Sequence, residues 1–155
     1  MPILKTEYDH WRPVAAQSVG ESEDSKRAHD EALKLLILLR WIDAEALRLG
    51  VVVTPGAVVT AFRRQKQQNY PRDRDFQKFL SRTHQTVADV KLRVRSDMLA
   101  KRLKQRASRG AKTPEGQSRQ FDRYVKKFNA RWKAKTVCGQ GYETDDCGSV
   151  VPLST

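Results

Sequence analysis

One stretch governs what this chain can become. Between Ser25 and Gly50 the signals are helical, and the centre, Leu35 to Ile42 (LLILLRWI), is apolar on nearly every face. A helix that is apolar all round has to be enclosed by other elements. Its ends are marked as well: Ser25 is a good N-cap, and Gly50 stands where a left-handed closing residue is wanted. The uninterrupted apolar run is only Leu35 to Leu39, closed by Lys34 and Arg40, far short of the roughly 20 residues that a membrane span needs. The stretch therefore predicts the central buried helix of an all-α domain. With 155 residues the chain has about the length of one domain.

The flanking sequence supplies the partners. Thr6 with Asp9 predicts a first helix over about Glu7 to Gln17, with Pro13 predicting a kink or an early stop. Val51 to Val53 reads as an extended connector. Thr54 then caps a helix with Pro55 at its first position, running to about Asn69 and turning Val58, Ala61 and Phe62 inward. Tyr70-Pro71 breaks it, and Asp73 or Asp75 opens a short helix carrying Phe76, Phe79 and Leu80. His84-Gln85 is a turn. Thr86 with Asp89 starts a helix from Val87 to about Ala107, which carries Met98. Residues 109–116 (RGAKTPEG) read as a linker, and Phe121, Tyr124, Val125, Phe128 and Trp132 recur at helical spacing beyond it. That stripe must dock on the earlier helices, because an isolated helix of this length is marginal in water. Trp41 and Trp132 are expected to pack the central helix against the terminal one and not to touch a client. Residues 1–135 form the single helical domain on this reading, and 136–155 form a tail without helical period.

Charge divides the chain unevenly. Thirty Lys and Arg against eighteen Asp and Glu leave +12. Residues 54–109 hold fifteen of those basic groups against four acidic ones, whereas residues 1–53 are net −2 and the tail net −3. Such a field attracts anionic partners and says nothing about fold. No phosphate-binding glycine loop, metal-ligand spacing or nucleophile motif accompanies it. His10, His29 and His84 stand singly. No catalytic residue, metal or cofactor is expected. Cys138 and Cys147 flank a loop containing Gly139, Gly141 and Tyr142, and a disulfide is the preferred reading over two free thiols. A disulfide implies an oxidising compartment, although MPILKTEYDHW contains no apolar export segment.

The order of residues also carries a likeness. Leu36-Ile37, Trp41, Glu45-Ala46, Gly50, Val58, Phe62, Lys66, Tyr70-Pro71, Phe76, Phe79-Leu80, Thr86 and Asp89 resemble the N-terminal domain of SurA/PrsA-type bacterial foldases. The opening from Pro2-Ile3 to Val14-Ala15-Ala16 resembles their first helix, and FDRYVKKFNARWKAKTVCGQGYETDDC resembles the C-terminal helix and two-cysteine tail of one exported branch. Together these cover nearly the whole chain. Family members carry a parvulin peptidyl-prolyl isomerase domain between the long helix and the C-terminal one; here only residues 109–116 occupy that place. His84 stands where the family tends to have Gly, Gly56 where an acid is usual, and Pro13 is a further departure.

The resemblance implies a SurA-N-like fold of five to six helices completed by the C-terminal helix, with peptide holding retained and isomerase chemistry lost. Its partners would be unfolded or nascent exported polypeptides, with anionic surface polymers or lipid headgroups also drawn to the basic surface. The candidate client-binding residues are Phe62, Tyr70, Phe76, Phe79, Leu80 and Met98. An extracytoplasmic location follows from the resemblance, and a cytoplasmic one otherwise. A basic helical nucleic-acid-binding module is the alternative, although no helix-turn-helix spacing, zinc finger or aromatic RNA-binding motif is present. A residual isomerase is a second alternative.

Overall fold

The computed structural model describes residues 2–153 and consists of six helices followed by two short strands. These are α1 (Lys5–Val19), α2 (Lys26–Leu49), α3 (Pro55–Asn69), α4 (Asp73–Thr83), α5 (Val87–Ala107), α6 (Pro114–Lys133), β1 (Val137–Gly139) and β2 (Ser149–Val151). The fold is all-α, as the period of the sequence predicts.

α2 is the axis. One of its sides packs Ala32, Leu33 and Leu36 against Tyr8, Trp11, Val14 and Ala15 of α1. The other packs Ile37, Trp41, Ile42 and Ala46 against Val58 of α3, Val94, Leu99 and Leu103 of α5, and Phe128 of α6. Its enclosure is incomplete, since Leu38 remains 46% exposed. The Ser25 hydroxyl accepts from Ala28 N–H, and Gly50 closes the helix at φ 65°. Val51 to Val53 is the expected connector, held where the Arg102 guanidinium donates to the Val52 carbonyl.

Three boundaries differ from the sequence reading. α1 starts at Lys5 rather than near Glu7, because the Glu7 carboxylate reaches back to accept from Leu4 N–H at 2.9 Å; Thr6 lies inside the helix. α1 also runs on through Pro13 to Val19. Proline inside a helix costs about 3 kcal/mol, and here Trp11, Val14, Ala15 and Ala16 are all buried around it, so packing outweighs the missing bond. At the far end, the linker shortens to residues 108–113. Thr113 accepts from Gly116 N–H at 3.0 Å and Pro114 takes the first helical position, which draws residues 114–116 into α6.

The tail is ordered where the sequence showed no period. β1 and β2 pair in parallel, with Cys138 opposite Val150, and Cys138 is disulfide-bonded to Cys147 across a Cα–Cα distance of 5.8 Å. Parallel strands usually need a crossover of a dozen or more residues; this pair is joined through the short loop that the disulfide closes. Gly148 lies so near the end of α6 that any Cβ there would strike the Lys133 carbonyl oxygen.

Candidate functional site

The six sequence-predicted client residues do not form one surface. Phe62, Tyr70, Phe76 and Phe79 gather between α3 and α4, with Tyr70 stacked on Phe79 at a centroid distance of 4.9 Å and Phe62 edge-on to Phe76 at 5.8 Å. Lys66 stands 5.2 Å over the Phe76 ring and Lys91 5.3 Å over Phe62, giving the cluster a cationic lid. Phe76 and Leu80 are buried, while Phe62, Tyr70 and Phe79 are half-buried. Met98 lies apart, packed against the main core. These rings fill the space between the two helices with one another.

An open hollow forms at a different place, and it starts from a residue to which the sequence reading assigned no role. Glu45 of α2 is fully buried, and every polar neighbour donates to its carboxylate. Arg48 supplies Nε at 3.0 Å and Nη2 at 2.9 Å; Tyr124 Oη stands at 3.1 Å, Arg131 Nη1 at 3.0 Å and Trp132 Nε1 at 2.9 Å. Burial alone would raise the pKa of this carboxyl. The hydrogen bonds from Arg48, Trp132 and Tyr124 overcome that and hold it down at about 2. Tyr124 moves the opposite way, to about 12, through burial and the adjacent anion. With its lone pairs committed and no water access, Glu45 is a clasp between α2 and α6 rather than an acid or base.

The clasp fixes the last turn of α6, from which Thr136 extends the connection. Its hydroxyl accepts from Trp41 Nε1 and donates to the Trp132 carbonyl, both at 2.8 Å, while its own carbonyl accepts from Gly148 N–H at 2.8 Å. Central helix, terminal helix and tail are thus joined at one residue. The tail then folds back to α1: Tyr142, inside the disulfide loop, packs edge-on to Tyr8 at 5.2 Å and lies 6.0 Å from His29.

Between these connections lies a cleft of about 660 Å³, open to solvent and bounded by the start of α1, by α2, by the end of α6 and by the tail. Its apolar wall includes Ile3, Tyr8, Trp41, Trp132, Val137 and Tyr142, and Lys5, Arg40 and Lys135 provide its charge. The volume and lining are those of a ligand-sized groove. Arg40 pairs with Glu7 at 2.6 Å. Lys135 has no ion-pair partner among the described residues and lies 5.0 Å over the Trp132 ring.

Most basic groups of α3 to α5 stand on the exposed surface, among them Arg63, Arg64, Arg74, Lys78, Arg82, Lys101 and Arg106. Three acids temper it: Asp73 pairs with Lys66, Asp75 with Arg72, and Asp43 with Arg95. Among the described residues no group of three or more His, Cys, Asp and Glu side chains is placed to hold a metal ion. The three histidines have local roles. His10 bridges to Asp89 at 3.0 Å, His29 bonds the Tyr8 hydroxyl, and His84 closes α4 at φ 56° in the left-handed position for which glycine is the usual choice. Among the described residues no helix is long and apolar enough to cross a membrane. Searches against family models, curated proteins and solved structures find no match to this chain.

Proposed function

We propose that this chain is an ATP-independent, chaperone-like module that transiently holds unfolded polypeptide, a relative of the SurA/PrsA foldases without their isomerase domain. The observation that carries the reading is the cleft. It is largely apolar, aromatic-walled and about 660 Å³ in volume, room enough for a few side chains of a bound segment. Leu153, from the extended chain after β2, already lies against Gly139 on its wall. The family likeness supports the same reading, since α5 and α6 are joined here by a six-residue bridge, 108–113, where members carry a whole domain. The Glu45 clasp docks α6 on α2 independently of any such domain. Exported polypeptides are the clients that the likeness and the disulfide favour.

The basic surface of α3 to α5 steers anionic clients toward the protein and is screened by salt. It also supports a second reading, a nucleic-acid-binding module, through the excess of fifteen basic over four acidic groups in residues 54–109. One pair of measurements separates the two. Light scattering of a chemically denatured client diluted with and without the protein, in the absence of nucleotide, should show suppressed aggregation. Duplex binding at physiological salt should stay in the non-specific range of roughly 10⁻⁴–10⁻⁶ M. Tight duplex binding with unaltered client aggregation would replace the chaperone reading with the nucleic-acid one. Acceleration of prolyl-peptide isomerisation above background would restore an enzymatic role.

A further inference from the structure

We propose that the cleft is selective: within an unfolded polypeptide it takes apolar segments that carry a carboxylate. The inference rests on the polypeptide-holding reading above and names its substrate class. The argument is one of charge and satisfaction. Lys5, Arg40 and Lys135 line the cleft, and no Asp or Glu does. Lys5 is matched by Asp9 and Arg40 Nη2 by Glu7, both lying outside the cleft. One charge remains: among the described residues the Lys135 ammonium has no ion-pair partner, lies 5.0 Å over the Trp132 ring and is exposed at the cleft wall. An acceptor-only, singly charged group on an apolar segment answers it, and a carboxylate is the anionic group that polypeptide offers. Nearby indole and phenol walls bury the flanking apolar side chains, which raises the value of any charge contact made beside them.

Side-chain and C-terminal carboxylates share this chemistry, so the probes separate them. Four fluorescein-labelled peptides with one apolar sequence serve: Glu at the centre with an amidated end, Gln at the centre with a free acid end, Gln with an amidated end, and Lys with an amidated end. Fluorescence anisotropy against the full chain should show at least one carboxylate peptide binding about 5-fold or more tightly than the neutral one, and the Lys peptide weakest. That preference should vanish in Lys135→Gln and reverse in Val137→Asp. Both positions are exposed, so both variants are expected to keep the wild-type circular dichroism. Equal affinity for the four peptides overturns the proposal. A carboxylate preference that survives both substitutions overturns it too, by placing the selective site elsewhere. If none of the peptides binds and client aggregation is also unaffected, the holding function itself falls; if none binds while aggregation is suppressed, only the selectivity and its site fall.

Discussion

The two aromatic regions of this molecule are made from the same residue types and do opposite things. At the α3–α4 end, Phe62, Tyr70, Phe76 and Phe79 stack on one another under Lys66 and Lys91, and the space between the helices closes. At the α2–α6 end, Trp41, Tyr124 and Trp132 are tied by hydrogen bonds to Thr136 and Glu45. Their rings are held in place by polar partners, and a hollow remains in front of two of them. Rings free to maximise mutual contact collapse into a core. Rings fixed by directional bonds can wall a cleft, because a hydrogen bond has a preferred geometry and apolar contact does not.

The comparison breaks most readily at Glu45. Glu45→Ala should cost roughly 3–5 kcal/mol, the usual consequence of removing one member of a buried ion pair. Arg48 loses its acceptor, as do Tyr124 and Trp132. Chemical denaturation measures the loss. Because α6 and the cleft wall depend on the clasp, client holding should fall with stability. A loss below about 1 kcal/mol would mean that apolar packing of Phe128 alone secures α6.

Acid probes the same residue without mutation. The folded-state pKa of about 2 lies below the ordinary 4.5, so the folded protein binds fewer protons than the unfolded chain between those values. The carboxylate's contribution is therefore complete above about pH 4.5 and is lost progressively as pH falls toward 2. It amounts to roughly 3 kcal/mol at 1.36 kcal/mol per unit. Glu7 and Asp89 are also held below their ordinary values, so they steepen the loss in the same direction. Stability curves at pH 6 and pH 3 should diverge for the wild type, and the divergence should shrink in Glu45→Ala.

What was legible in the sequence follows the range of each interaction. Ser25, Thr54 and Thr86 bond the backbone three residues ahead, so the starts of α2, α3 and α5 could be placed from local spelling. Phe62, Tyr70, Phe76 and Phe79 were singled out as candidate client contacts, but that they stack on one another, within eighteen positions of the chain, came from the structure. Glu45 was not singled out, since Tyr124, Arg131 and Trp132 come from 79 to 87 positions away. One signal was available. Glu45 falls on the buried stripe of α2 beside Trp41, Ile42 and Ala46, and an acid on such a stripe calls for partners. Pro13 illustrates the converse, a local rule overruled by tertiary burial.

The disulfide sharpens the comparison from the side of the cleft. Closing its loop contributes roughly 2–3 kcal/mol in the chain-entropy picture. The effect should stay local, since Cys138 and Tyr142 wall the cleft and lie outside the main core. Mild reduction should leave the helical circular dichroism intact, weaken peptide binding several-fold and alter the tryptophan emission of Trp41 and Trp132. Unchanged binding after complete reduction would show that the tail is no part of the site.

The smallest effect belongs to the other end. Phe79 is half-buried, so Phe79→Ala should cost roughly 1–2 kcal/mol, below the 3–5 kcal/mol of a fully enclosed ring. It leaves Phe62 against Phe76 and touches neither Glu45 nor the cleft. If polypeptide is held at the α2–α6 end, peptide affinity of this variant should match the wild type within a factor of two once stability is allowed for. A larger loss would place clients on the stacked rings of α3 and α4 after all. The half-buried rings of Tyr70 and Phe79 would then be the working surface, and the hollow beside Trp41 a consequence of how α6 docks.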